Sequence, residues 1–133
     1  DIKTGGTQYL LNSLSLPQTI ENTNETLPAE YVDYKFTGIS YYDFENAMTK
    51  YMTLDVLKSQ FSEFINYNGT LYMKEVTGTQ TDYMIEDIKV KNIKGQETTY
   101  EITKQNMNTF IRLIQNITLK YENGVCVVSN VEA

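Results

Sequence analysis

Apolar and polar residues alternate near the end of the chain with a period of two, which is typical of a strand with one buried face. Ile117, Leu119 and Tyr121 alternate with polar residues, and Asn123-Gly124 follows directly after them. Asn and Gly tolerate the positive φ angles of a tight two-residue hairpin turn. The pattern therefore predicts a terminal β-hairpin over residues 116–130.

Helical periodicity is confined to the first half of the chain. Leu10, Leu11 and Leu14 predict a short helix that ends before Pro17. From residue 18 to about residue 34 the composition turns polar, with several Asn, Thr and Glu residues. This stretch indicates a long connecting segment.

Two further helices have stronger signals. Ser40 begins a capping-box pattern, and the residues behind it form an apolar stripe as far as Met52. Thr53 is a second candidate cap, and another apolar stripe follows it. We expect this last helix to end near Tyr67, because Asn68-Gly69 offers a left-handed C-terminal cap.

After residue 69 the period changes to that of strands. Residues 71–76, 83–94 and 97–104 each predict a strand, and a turn is expected at Thr77-Gly78-Thr79. Residues 105–115 fit either a helix or a strand. We favour the strand, because β-branched and aromatic residues dominate this stretch.

The long strand over residues 83–94 contains a break in its alternation. Tyr83 and Ile85 lie in opposite phase to Ile88, as if one extra residue were inserted between them. A β-bulge inserts one such residue. The sequence therefore predicts a bulge near Glu86 or Asp87.

Helices followed by long antiparallel strands define an α+β protein. We expect N-terminal helices that pack in the concave face of a curved, bulged antiparallel sheet of four to five strands. At 133 residues the chain fits one domain overall. Within it we distinguish an N-terminal segment over residues 1–39, with the short helix and the linker, from an α+β unit over residues 40–133.

The chain is acidic, with a net charge of −6 and a sequence pI of about 4.6. Nucleic acid binding needs a basic surface, so we expect none, whereas a basic protein partner is compatible with this charge. No apolar run is long enough to span a bilayer, so we expect no membrane insertion of this segment. Because the chain begins at Asp1 without Met, we expect that a signal or tether preceded it and that the protein works outside the cell.

The residue types exclude several kinds of catalytic site. The chain has no histidine and one cysteine, which removes Ser-His-Asp and Cys-His catalysis and structural zinc sites. We therefore expect no enzyme activity, no cofactor and no metal. Glu86 and Asp87 form a carboxylate pair that acid–base chemistry could use, but we interpret them as solvated edge charges. Valine neighbours lead us to expect a buried Cys126.

Two short motifs carry a resemblance to a known family. Gly69-Thr-Leu-Tyr72 and the hairpin Ile117-Thr-Leu-Lys-Tyr-Glu-Asn-Gly-Val125 resemble the NTF2-like α+β cone of exported Gram-positive proteins. Within that group the chain looks most like secreted inhibitors of DL-endopeptidases, the NlpC/P60-type cell-wall hydrolases. The resemblance covers roughly residues 40–130. It implies an NTF2/cystatin-like cone that acts at the cell envelope as a protein-binding inhibitor.

These observations favour an exported, non-enzymatic binding domain whose partner is a protein, with a basic cell-wall hydrolase as the leading candidate. One alternative is a small-molecule module with a pocket between sheet and helices. Another is an assembly domain of a membrane-anchored complex, and the sequence alone does not set the oligomeric state. From charge and predicted position, the candidate binding residues are Tyr72, Tyr83, Glu86, Asp87 and Tyr100.

Overall fold

The computed structural model describes residues 7–21, 26–74 and 83–133. In chain order the helices and strands are α1 (Thr7–Leu14), a short 3₁₀ turn (Ala29–Tyr31), β1 (Tyr34–Ser40), α2 (Tyr41–Met48), α3 (Leu54–Gln60), β2 (Phe64–Tyr67), β3 (Thr70–Lys74), β4 (Tyr83–Lys94), β5 (Glu97–Asn106), β6 (Arg112–Glu122) and β7 (Val125–Glu132). The strands form two antiparallel sheets, in the orders β1-β3-β2 and β4-β5-β6-β7. The α+β class is confirmed, and the three-stranded sheet is an addition that the sequence pattern does not predict.

Both predicted helix caps are confirmed. The Ser40 hydroxyl accepts a hydrogen bond from the Asp43 N–H at 3.4 Å, and the Thr53 hydroxyl accepts one from the Val56 N–H at 3.3 Å. Each hydroxyl satisfies a backbone donor that has no partner within its helix. The short side chains at these two positions therefore set where α2 and α3 begin.

The predicted length of α3 is wrong. The helix ends at Gln60, and Phe64–Tyr67 forms β2, which pairs with β3. Asn68 and Gly69 have φ angles of 51° and 85°, as a hairpin turn between β2 and β3 requires. A helix cap and a hairpin turn use the same Asn-Gly dipeptide, so the dipeptide alone does not distinguish them.

Strand β1 was not predicted, because it lies where the sequence indicates the connecting segment and the start of a helix. Gly38 interrupts its alternation with a φ of 76°, and the register with β3 shifts between Phe36 and Ser40. The N–H groups of Thr19 and Ile20 both donate to the Gly38 carbonyl oxygen, at 3.0 and 2.9 Å. Strand β1 thus spans the boundary that we drew between residues 39 and 40.

The hydrophobic core lies in the first half of the described chain. Phe44, Leu57 and Leu71 are almost fully buried, and the rings of Phe44 and Phe64 lie 4.7 Å apart between centroids. Burial of each such side chain contributes about 1.5–3 kcal/mol. Residues of all three helices and of the three-stranded sheet share this cluster, namely Leu10, Leu11, Ile39, Phe44, Met48, Leu57, Phe64 and Leu71.

A short backbone pairing joins the helices to the four-stranded sheet. The Val128 N–H donates to the Tyr51 carbonyl oxygen at 2.8 Å, and the Thr53 N–H donates to the Val128 carbonyl oxygen at 2.9 Å. Met52 and Val128 thereby form a parallel bridge at the outer edge of β7. Because α3 begins directly after residue 53, this pairing places the helix over the β7 side of the sheet.

The predictions for the second half are mostly confirmed. Asn123 and Gly124 form the terminal hairpin turn, with φ angles of 53° and 79°. The register of β4 against β5 shifts between Ile85 and Asp87, where the bulge was predicted. Within residues 105–115 the chain forms strand ends and a turn, and β6 begins at Arg112. The predicted turn at residues 77–79 lies outside the described residues.

In the parts of the chain that the structure describes, none of the helices has the length and apolar character needed to cross a membrane.

The position of the core predicts how two phenylalanines differ. Phe44→Ala should lower the free energy of unfolding by about 3–5 kcal/mol, because it leaves a cavity in the buried cluster. Phe110→Ala, at a position that is 68% exposed between β5 and β6, should change it by less than about 0.5 kcal/mol. Urea unfolding followed by circular dichroism measures both values. Equal losses at the two positions would contradict this placement of the core.

Candidate binding surfaces

The four-stranded sheet has one apolar and one polar face. Residues that pair across neighbouring strands point to the same face. Ile88 pairs with Ile102, and Tyr100 pairs with both Val90 and Ile117, so these side chains share one side of the sheet. We call this side the apolar face. The opposite side carries charged residues, including an ion pair between Arg112 Nε and Glu86 Oε2 at 2.8 Å.

Two bulges keep the apolar residues of β4 in phase. Glu86 is one extra residue between Ile85, which pairs with Lys104, and Asp87, which pairs with Thr103. A second register shift, between Val90 and Asn92, makes Lys91 another extra residue. Each bulge reverses the alternation once. The two bulges therefore hold one set of β4 residues on the apolar face, namely Tyr83, Ile85, Ile88, Val90 and Ile93.

Helix α3 covers only part of the apolar face. It lies over β6 and β7, where a cleft of about 200 Å³ is bounded by residues such as Val56, Phe61, Ile117 and Val128. On β4 no described residue covers the apolar side chains: Ile85, Ile88, Val90 and Ile93 are 54–68% exposed. We call the surface formed by these four residues, together with Leu113 and Tyr121, the uncovered part of the apolar face.

Lys104 lies in the cleft beneath α3. Among the described residues that strand pairing assigns to the apolar face, it is the only charged one. Burial in the cleft lowers the pKa of its ammonium group, because a low-dielectric surrounding disfavours the charged form. The cleft therefore combines an apolar lining with one partly desolvated cation.

The structure separates the five candidate binding residues. Tyr83 and Tyr100 lie on the apolar face. Glu86 and Asp87 are exposed, and Asp87 Oδ2 lies 3.6 Å from Lys89 Nζ. Tyr72 is 3% exposed in the other sheet, where its ring contacts that of Phe36, with 5.8 Å between centroids. The five residues therefore do not form one site: the two tyrosines share the apolar face, the two carboxylates share the polar face, and Tyr72 is buried in the other sheet.

The expectation of a buried Cys126 is wrong, since the residue is exposed. Cys126 pairs with Tyr121, which is itself 55% exposed, directly beside the terminal hairpin turn. Helix α3 lies over residues further along β7, such as Val128, and the end of the hairpin extends past it. An apolar sequence neighbourhood therefore does not bury a residue at the end of a hairpin.

The connection between β5 and β6, residues 107–111, is held by hydrogen bonds at its base. We call it the tip. Asn106 Oδ1 accepts from the N–H groups of Asn108 and Thr109, at 2.9 and 3.1 Å. The Phe110 N–H donates to the Asn106 carbonyl oxygen at 2.7 Å, and the Asn106 N–H donates to the Ile111 carbonyl oxygen at 2.9 Å. One asparagine therefore fixes the backbone of the whole turn.

This hydrogen bonding places apolar side chains in solvent. Phe110 and Ile111 are each 68% exposed, and Met107 is 41% exposed. Phe110 has a φ of 61°, a left-handed conformation that is uncommon for a bulky side chain. Sequence reasoning missed the tip as a surface. The sequence does contain one signal for this turn. Asn106 precedes Asn108 by two residues and Thr109 by three, which is the spacing of an Asx turn.

No family model matches this chain, and no curated protein matches its sequence. Within the described ranges, no group of three or more His, Cys, Asp or Glu side chains is placed to hold a metal ion.

The conformation of Phe110 predicts an unusual gain in stability. Phe110→Gly should raise the free energy of unfolding by about 1 kcal/mol relative to Phe110→Ala, because only glycine adopts positive φ without a steric penalty. Both variants lose the ring, so their difference isolates the backbone term. Urea unfolding of the two variants measures it. If glycine were no more stable than alanine, the left-handed conformation would not be strained.

The shifted pKa of Lys104 predicts a pH-dependent contribution to stability. The folded chain releases the Lys104 proton at lower pH than the unfolded chain, so the unfolded chain binds more protons in the window below about pH 10. Wild type should therefore gain stability relative to Lys104→Met as the pH rises from 7 towards about 10.

Urea unfolding of both chains across this pH range measures the difference in free energy. Lys94→Met, at an exposed position at the end of β4, controls for the loss of a positive charge in general. A difference between wild type and Lys104→Met that stayed constant with pH, or that changed in the opposite direction, would contradict the burial of this ammonium group.

Proposed function

We propose that the chain is an exported, non-enzymatic binding domain that inhibits or modulates a cell-wall hydrolase by inserting the tip into a cleft of that enzyme. The observation that carries this proposal is the hydrogen-bonded turn that holds Phe110 and Ile111 in solvent. The choice of a hydrolase rests on the resemblance of the Gly69-Thr-Leu-Tyr72 and terminal hairpin motifs to secreted DL-endopeptidase inhibitors.

A tip whose backbone is already fixed by hydrogen bonds favours protein binding for an energetic reason. Association loses free energy when it orders mobile side chains and loops, and a turn that is already ordered loses less. Aromatic residues are enriched among the few interface positions that supply most of the binding energy. Phe110 supplies such an anchor, and the strained backbone at this residue is a cost typical of functional positions.

The distribution of charge supports a basic partner. Residues 1–82 contain 11 acidic and 5 basic residues, whereas residues 83–133 contain 6 of each, so the whole net charge of −6 belongs to the first part. Such an acidic part attracts a basic protein over long range. The tip lies within residues 83–133, which have no net charge. An apolar contact made there is therefore not opposed by an excess of charge of either sign.

The finer fold assignment belongs to the same proposal. We propose that the helices and the four-stranded sheet form an NTF2-like cone. Support for it comes from α3 on one face of the sheet and from the two bulges of β4, since bulges bend a strand and increase its twist. On the same resemblance we propose a position outside the cell, in a Gram-positive envelope.

A small-molecule module is less well supported. The cleft between α3 and the sheet measures about 200 Å³, below the roughly 300 Å³ at which ligand pockets usually begin. Two larger spaces, of about 460 Å³ between α1 and β1 and about 630 Å³ between residues 49–54 and the terminal hairpin, are both open to solvent. The first contains the Gln18 side chain, whose amide donates to the Thr37 carbonyl oxygen at 3.1 Å. None of the three spaces combines an enclosed apolar volume with several converging polar groups.

The tip predicts the outcome of an inhibition assay against NlpC/P60-type hydrolases at low salt. Wild type should inhibit peptidoglycan hydrolysis, and the double variant Phe110→Ala, Ile111→Ala should raise the inhibition constant roughly 100-fold, since two anchors at about 1.4 kcal/mol each are lost. Hydrolysis rates at several inhibitor concentrations give the constants.

Val32→Ala is the matched control, because Val32 is an apolar residue that is 74% exposed in the other half of the chain. It should leave the inhibition constant unchanged within about twofold. A wild type that fails to inhibit any of these enzymes would overturn the proposed function. Equal inhibition by the double variant would overturn the role of the tip.

A further inference from the structure

We propose that a second copy of this chain covers the uncovered part of the apolar face, so that the protein is a face-to-face homodimer. The contact would be made by β4 and β6 through side chains such as Ile88, Val90 and Leu113. The tip takes no part in it. The inference therefore stands independently of the proposed inhibition of a hydrolase.

The phase of the apolar residues along β4 indicates that another surface covers them. Two bulges within one strand of twelve residues keep Ile85, Ile88, Val90 and Ile93 on one face, yet each of them is more than half exposed in the single chain. Bulges are built-in features that re-aim side chains. The bulges thus place four apolar residues on a face that the described chain leaves open. A second surface that covers this face would explain why they are placed there.

The uncovered part of the apolar face is large enough to form the centre of a dimer interface. The four apolar side chains of β4 form a continuous row, and Leu113 and Tyr121 lie beyond β5 at its two ends. Together these six side chains, 40–68% exposed, present an apolar area on the order of 500 Å². Stable interfaces bury about 800 Å² per partner, with an apolar centre and a polar rim. The uncovered part thus supplies the centre of such an interface, and the half-buried Tyr83, Tyr100 and Ile102 extend it.

The distribution of charge favours a second copy over a charged partner. The charges of this sheet lie on its polar face, in ion pairs such as Lys89 with Asp87 at 3.6 Å and Lys120 with Glu122 at 3.7 Å. Among the described residues that strand pairing assigns to the apolar face, Lys104 is the only charged one, and it lies at the end of the sheet near the tip. When two copies meet with their β4 strands antiparallel, the two Lys104 side chains lie at opposite ends of the interface.

Lysines along β4 disfavour the other mode of self-association, in which two sheet edges pair. Lys89, Lys91 and Lys94 follow one another on this edge strand. Lysines and β-bulges on an edge strand are features that blunt it against pairing with another edge, and β4 has both. Stacking of the two faces does not require that edge to pair. Two sheets stacked in this way pack about 10 Å apart.

Sedimentation velocity of the whole chain tests the proposal. Wild type should sediment as a monomer at roughly 1 µM and as a dimer at several hundred µM, as expected for an interface of modest size. Ile88→Lys should raise the dimer dissociation constant roughly 100-fold, since a two-fold interface contains the substitution twice and each copy loses about 1.4 kcal/mol.

Met84→Lys is the matched control. Met84 is 47% exposed on the same strand but lies on the polar face, so the same kind of substitution there should leave dimerisation unchanged. Circular dichroism checks that both variants fold. If Ile88→Lys does not fold, amide hydrogen exchange of wild type at low and high concentration replaces it, with slower exchange expected in β4 and β5 at high concentration.

Three results would overturn the homodimer. One is a wild type that remains monomeric at several hundred µM. This outcome counts against the homodimer also when the monomer binds lipid vesicles or a foreign peptide through this face. Another is a dimer that Met84→Lys dissociates and Ile88→Lys does not. The third is a dimer that the Phe110→Ala, Ile111→Ala variant dissociates, because that result would assign self-association to the tip. Ile88→Lys should keep any hydrolase inhibition, which separates this proposal from the previous one.

Discussion

The backbone pairing between residues 51–53 and Val128 determines which part of the four-stranded sheet is covered. Two hydrogen bonds, at 2.8 and 2.9 Å, attach the start of α3 to the outer edge of β7. The helix therefore lies over β6 and β7, and β4 remains at the opposite edge without a helix among the described residues. Three features follow from this contact, namely the small cleft around Lys104, the open apolar residues of β4 and the exposed Cys126.

The molecule combines two halves with different roles. The first half holds the buried cluster around Phe44, and the net negative charge of the chain belongs to residues 1–82. The second half buries little on its own, has no net charge and presents two apolar surfaces, the tip and the uncovered part of the apolar face. The buried cluster therefore lies in one half and the exposed apolar surfaces lie in the other, and both proposals made above concern the second half.

Sequence reasoning succeeded where the cause is local. The cap at Thr53 and the bulge at Glu86 follow from one side chain or one break in alternation, and both are found. It failed where contacts between distant residues determine the local structure. Asn68-Gly69 is compatible with a helix C-terminus or with a hairpin turn, and the pairing of β2 with β3 selects the hairpin. The site was harder still. Tyr72 is buried in β3 and Phe110 is exposed in a turn. Their aromatic character does not distinguish them, because exposure depends on what the rest of the chain covers.

The described residues leave the β4 side of the apolar face open, and we propose that a second copy closes it. Rates of thiol labelling measure this directly, with single cysteines at position 88 (Ile88→Cys) or 128 (Val128→Cys) in a Cys126→Ser background. We expect rapid labelling at position 88 in dilute solution, marked protection there at high concentration, and slow labelling at position 128 throughout. Slow labelling at position 88 in dilute solution would show that the chain covers this face itself and would contradict the open face.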